Sequence, residues 1–227
     1  MKINIAIFAT LSFLTVISCN NDKKQDAIHS DSSHKIEQKD GSLKDIPSTI
    51  SAPPTDPRTA LILRAYQNYL EQPGNFASQK QFFDVFPKSF DELDSLYGYA
   101  KEPGPLYYEH VDHILNGFYN LDQIADTLMY TRLINLGIGG HWDADAVNWI
   151  QDFIQKKILA NPNLTFTVLH SKTLAEIQSF FYFFNNGIHP IYRELPTELE
   201  GVREIDEDMY LAMKTGFDEG LSDSSHD

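Results

Sequence analysis

From Thr55 to Leu221, apolar residues recur at spacings of three and four, and segment after segment stops at proline, glycine or asparagine. That spacing gathers side chains on one face of an α-helix. One stretch alternates instead: Leu164, Phe166 and Val168 are separated by Thr165 and Thr167. A lone strand has no partner to pair with, so residues 163–170 are read as a helix or an extended connector. The pattern predicts an all-α fold, a single irregular helical domain of about seven helices. The single cysteine, Cys19, excludes internal disulfides, so the core alone must hold the fold. Fifteen phenylalanines and eleven tyrosines can supply that core. A domain on the order of 165 residues buries about 70% of its unfolded surface.

Local signals place the helices. Asp56-Pro57 predicts a capped start, with Leu61, Ile62, Ala65, Tyr66, Tyr69 and Leu70 on the apolar side. Gln72 to Asn75 ends that helix. A second helix from about Ala77 carries Phe82, Phe83 and Phe86, with Ser78 and Gln81 in capping-box positions. Ser89 and Glu92 form another such pair ahead of Phe90, Leu93 and Tyr97. Gly98 to Pro105 reads as a loop. A fourth helix, Leu106 to Tyr119, puts Tyr107, Val111, Ile114, Leu115 and Phe118 on one face. A fifth, Asp122 to Leu136, has Ile124, Leu128 and Leu136 as core residues.

Asp143 then caps the most regular helix, with Ala146, Val147, Ile150, Phe153, Ile154, Lys157 and Ile158 in phase. Lys172 to Phe184 is a helix with Leu174, Ile177, Phe181 and Phe184 on one face, widened by Phe180 and Phe183. This aromatic run predicts a central core helix, with an exposed partner groove as the alternative. Ile188 to Ile205, cut by Pro190, Pro196 and Gly201, predicts an irregular strap. The last helix begins at Asp206, with Met209, Met213, Gly216 and Phe217 inward.

The N-terminus has a different character. Lys2 precedes an apolar run from Ile3 to Ile17, which stops at Asn20 to Lys24. A charged start, a short apolar run and a small residue at the break are the marks of a secretory signal. The run is short for a membrane span, which needs roughly 20 apolar residues. Val16-Ile17-Ser18-Cys19 resembles the bacterial lipobox. The resemblance implies cleavage before Cys19, acylation of that cysteine by chains such as palmitate, and a bacterial lipoprotein held outside the cytoplasm on the cell membrane or the outer membrane. Two or more acyl chains anchor stably without help from the folded domain.

The expected organisation is therefore a signal peptide over 1–18, a disordered tether over 19–54, a helical domain over 55–221 and an acidic tail over 222–227. The tether is polar and ends in Ser51-Ala52-Pro53-Pro54. Its length would hold the domain about 30–35 Å from the anchor. The segments "FFYFFNNGIHP" (Phe180 to Pro190) and "FFDVFPKSFDELDSLYGY" (Phe82 to Tyr99) resemble uncharacterised gut-bacterial lipoproteins of unknown function. That resemblance implies a compartment and no mechanism.

Charge restricts the partners. The formal net charge is −14, and from Glu194 to Asp227 eleven carboxylates face only Arg203 and Lys214. Nucleic-acid binding needs a basic footprint, so it is excluded. An acidic C-terminal surface predicts attraction of cationic protein partners. Two clusters carry candidate chemistry. His110 and His113, three apart, could share a metal on one helix, although the wheel puts them toward the rim and the solvent. Gly137 to Asp145, "GIGGHWDAD", places His141, Trp142, Asp143 and Asp145 in one turn, as a binding groove floored by Trp142 or as a plain interhelical turn. Its glycines precede a helix, where an anion could be cradled, but no lysine or arginine completes a phosphate loop. No nucleophile motif appears, and no cofactor is expected. The sequence therefore predicts an anchored, non-enzymatic binding or accessory protein. The competing class is a metal-dependent or hydrolytic envelope enzyme using His110 and His113.

Overall fold

The computed structural model describes residues 56–99, 103–107, 111–143 and 146–223. The expected signal peptide over 1–18, the expected tether over 19–54 with Cys19, the end of the expected acidic tail, His110 and Asp145 lie outside the described residues. The described residues form ten α-helices and one 3-10 turn, against the seven helices the periodicity predicts; no strand occurs among them. The helices are α1 Pro57–Glu71, α2 Phe76–Val85, α3 Phe90–Tyr97, α4 Val111–Tyr119, α5 Asp126–Gly137, α6 Ala146–Ala160, α7 Pro162–Leu169, α8 Leu174–Asn185, α9 Thr197–Glu200 and α10 Glu207–Asp223. The elements without a counterpart among the eight segments placed as helices from local signals are α7, which resolves the ambiguous stretch as helix, and α9, a single turn inside the strap. Asn161 caps α7 and Pro162 opens it, which suffices to start a helix despite the alternating threonines. Thr165 and Thr167 direct their hydroxyls to carbonyls seven and four residues back rather than to a sheet neighbour.

Caps explain most boundaries. Asp56 accepts from the Thr59 N–H at 2.8 Å and starts α1 as the sequence predicts. Asn75, not the Ser78/Gln81 pair, caps α2, because its carboxamide oxygen reaches the Ala77 and Ser78 amides. Ser78 lies inside the helix and bonds the Gln72 and Asn75 carbonyls. Ser89 caps α3, while Glu92 reaches back to the Lys88 N–H rather than completing a box with Ser89. The full capping box belongs to Thr173 and Glu176 at the start of α8. Leu106 and Tyr107 precede α4 in a turn, and α6 begins at Ala146, three residues after Asp143, whose carboxylate accepts from the Tyr99 N–H at 2.9 Å. The last helix runs on to Asp223, past the tail boundary at 222.

Glu92 also ties α3 to α1 through Arg58. Partial burial opposes its ionisation, but the Lys88 N–H and the Arg58 guanidinium outweigh this and hold its pKa below the usual glutamate value. A carboxylate with a depressed folded pKa contributes stability above its unfolded value, about 4.3, and loses it as pH falls through the folded value. In Glu92→Gln the gap between urea midpoints at about pH 6 and about pH 3 is expected to narrow. An unchanged gap contradicts this role.

The core centres on α8. Phe180, Phe181, Phe183 and Phe184 are all fully buried, so the aromatic run is core and not an exposed groove. Around it lie Leu133 and Ile134 of α5, Ile150 and Ile154 of α6, and Met213 and Phe217 of α10. A second aromatic cluster joins Tyr69, Phe82 and Phe86 to Phe118. Three leucines expected inside are about half exposed: Leu61, Leu128 and Leu174. At about 100° per residue Leu128 points about 140° away from buried Leu133, and Leu61 about a quarter turn off the Ile62–Tyr69 stripe. Leu174 is the first residue of α8, where side chains lean off the N-terminal end.

Helices α8 and α10 form the most extensive pair, and they run parallel. Cβ atoms built on Gly216 and Gly220 would lie 2.0 Å from the Gln178 carbonyl oxygen and 2.4 Å from that of Tyr182. Both pairs are four residues apart, so one turn of α10 matches one turn of α8. Two parallel helices in sequence require the chain to return, and residues 186–206 do so as the irregular strap with α9 and the 3-10 turn Gly201–Glu204.

Candidate functional site

The end of α8 leaves carbonyls without an intrahelical donor, as every helix end does. Two glutamines of α6 supply the donors. The Gln151 Nε2 donates to the Phe183 carbonyl and, at 2.6 Å, to that of Asn186. The Gln155 Nε2 donates to the Phe184 carbonyl at 2.6 Å. Both glutamines are buried, four residues apart on one face of α6. The side-chain oxygen of Asn186 then accepts the Trp142 backbone N–H at 2.8 Å. Four elements are thereby locked together: α6, the end of α8, the strap and the 138–143 loop.

Their junction is a half-open cleft of about 390 Å³. Trp142 lies on one side of it, and Asn148, Gln151, Asp152 and Gln155 of α6 on another. Asn185 to Ile191 complete the wall. Gly187 has φ +158, and a Cβ there would meet the indole Cδ1 of Trp142 at 2.7 Å, so only glycine lets the strap close over the ring. Asp152 pairs with Lys156 at 2.6 Å, one turn along α6. A second groove of about 370 Å³ lies across the Asn148–Asp152 ridge and holds half-exposed Trp149 with Tyr119 and Lys156.

The residues singled out in the sequence divide. Trp142 does line a cleft. The exposed His141 ring sits instead 4.8 Å from that of Phe90, edge to face. Asp143 is engaged with Tyr99. The glycines of the same run serve close packing: a Cβ on Gly137 or Gly140 would collide with the Phe180 and Phe183 rings at 2.6 Å, and the Gly140 N–H donates to the Gly137 carbonyl. The Gly139 N–H donates to the Ser179 hydroxyl. His113 is exposed on α4, 3.8 Å from the Asp112 carboxylate. Among the described residues no three metal-type donors gather.

The sequence reading missed the amides. Gln151 and Gln155 interrupt an apolar stripe at helical spacing, which is a signal for buried side chains with a fixed task. Asn185 to Pro190 ends a segment already quoted for its resemblance, but its role needs the α6 contact to be seen. No protein-family model, curated protein or solved structure matches the chain.

Proposed function

We propose that the chain is an envelope lipoprotein, held through acyl chains on Cys19, that binds a ligand outside the cytoplasm. The cleft at Trp142 carries the binding part of this reading. It is preformed by four hydrogen bonds among separate elements, and its size lies within the range of about 300–1,000 Å³ usual for small-molecule sites. The lipobox-like leader supports the anchor. Among the described residues no helix is long and apolar enough to cross a membrane, so an anchor would have to come from elsewhere in the chain. Exposed Glu198, Glu200, Glu204, Glu207 and Asp208 make the C-terminal surface acidic, which favours approach of cationic partner proteins and is screened by salt.

Metabolic labelling with a radiolabelled palmitate precursor tests the anchor. The native chain is expected to carry label and to sediment with membranes. Cys19→Ala is expected to lose the label and to appear in the soluble extract. A Cys19→Ala protein that still carries label overturns the assignment.

A further inference from the structure

We infer that the cleft beside Trp142 takes a neutral, hydroxyl-rich ligand with the chemistry of a mono- or disaccharide, an assignment that rests on the binding reading above. Four carboxamides face this one cleft, those of Asn148, Gln151, Gln155 and Asn186, with Asn185 buried behind them. A carboxamide offers both a donor and an acceptor, and so does a hydroxyl. The Asn148 carboxamide, the side-chain oxygens of Gln151 and Gln155 and the Asn186 Nδ2 therefore present donors and acceptors to hydroxyls, with no net charge required on either side. Gln151 and Gln155 are fixed by their bonds to α8, which lowers the entropy lost when a ligand binds.

The charges point the same way. No lysine or arginine lines the cleft, so an anion finds no counter-charge. The one carboxylate, Asp152, is already neutralised by Lys156. The carbonyls at the end of α8 that would favour a cation accept from the two glutamines. What remains is a polar surface on which the exposed His189 imidazole is the one further ionisable group.

The indole supplies the other half of the match. Sugars present hydroxyls at their edges and a C–H face that stacks on a flat apolar ring. Trp142 is part-exposed, and Asn186 and Gly187 hold it in place against the strap. Ile188, Pro190 and Ile191 complete the apolar lining. Amphipathic aromatic rings of this kind serve sites with one dry and one wet side.

Calorimetric titration of the purified full-length chain in detergent tests the assignment, with glucose, N-acetylglucosamine, maltose and cellobiose as probes at low and high salt. At least one saccharide is expected to bind saturably and to the same extent at both salt concentrations. Trp142→Ala and Asn148→Ala are each expected to weaken it by about tenfold or more. Asn148 is exposed, so its replacement is expected to leave the melting temperature in place even if Trp142→Ala disturbs the strap. Binding confined to a cationic amine such as spermidine, and lost at high salt, overturns the assignment. A silent saccharide panel also overturns it. If solubilised envelope extract still shifts Trp142 emission, the binding reading survives that failure; silence toward both removes the two together.

Discussion

Arg132→Met is expected to destabilise the domain by about 3 kcal/mol, lowering the melting temperature by about 6–12 °C. Arg132 is 9% exposed, on the inner face of α5. Its Nη1 donates to the carbonyls of Phe83, Phe86 and Pro87 at 2.9, 3.0 and 3.3 Å, which are the last acceptors of α2 and the residues just past it. The guanidinium also lies 4.3 Å from the centre of the Phe83 ring. Burial lowers its pKa, and the Asp84 and Glu92 carboxylates oppose that shift. An arginine keeps its charge throughout the accessible pH range. A charged donor suits the negative end of a helix dipole. Methionine fills much of the same volume but donates nothing, so three buried carbonyls lose their partner. Arg132→Lys is expected to recover less than half, since an ammonium lacks the planar fork and its stacking on Phe83. Thermal melts of the three proteins check this, and a Met variant as stable as the native chain would show that water can serve these carbonyls.

Gly216→Ala is expected to cost about 3 kcal/mol although alanine favours the helix itself. The added methyl group falls on the Gln178 carbonyl, a backbone atom that cannot rotate away. Helices α8 and α10 must therefore separate, and every aromatic contact of α8 is loosened with them. Gly220→Ala meets the Tyr182 carbonyl and is expected to behave in the same way. Gly74 is the control: nothing lies within 4 Å of its added Cβ, so Gly74→Ala is expected to stay within about 0.5 kcal/mol of the native chain. Urea denaturation of the three variants checks the contrast. Equal midpoints for Gly216→Ala and Gly74→Ala would contradict the close approach of the two helices.

Helix class and most helix faces were legible because period and burial coincide along a single chain. Ile62, Ala65 and Tyr69, or Met209, Met213 and Phe217, fall inward as their spacing requires. Caps at Asp56 and Ser89 were legible, because the donor lies within three residues, whereas Asn161-Pro162 reads as a stop and its capping of α7 was not. Leu61 and Leu128 failed because hydrophobicity says nothing about where the neighbouring helices stand. Gly216 was correctly placed inward, but the carbonyl it faces lies 38 positions away in the chain. The cleft was hardest to see. Trp142 was found as a lone indole in a turn, whereas Gln151, Asn186 and Gly187 acquire meaning only when α6, α8 and the strap converge. The glycine run was read correctly as a break and only structurally as a seat for Phe180 and Phe183.

The two tryptophans allow a direct test of ligand binding in the cleft beside Trp142. Trp149→Phe leaves Trp142 as the only indole, and Trp142→Phe leaves Trp149 in the neighbouring groove. Emission spectra of both full-length variants, titrated with solubilised native envelopes, report which groove is filled. The account predicts a saturable shift for the chain that retains Trp142 and none for the chain that retains Trp149. A shift confined to Trp149, or no shift at either, would contradict it.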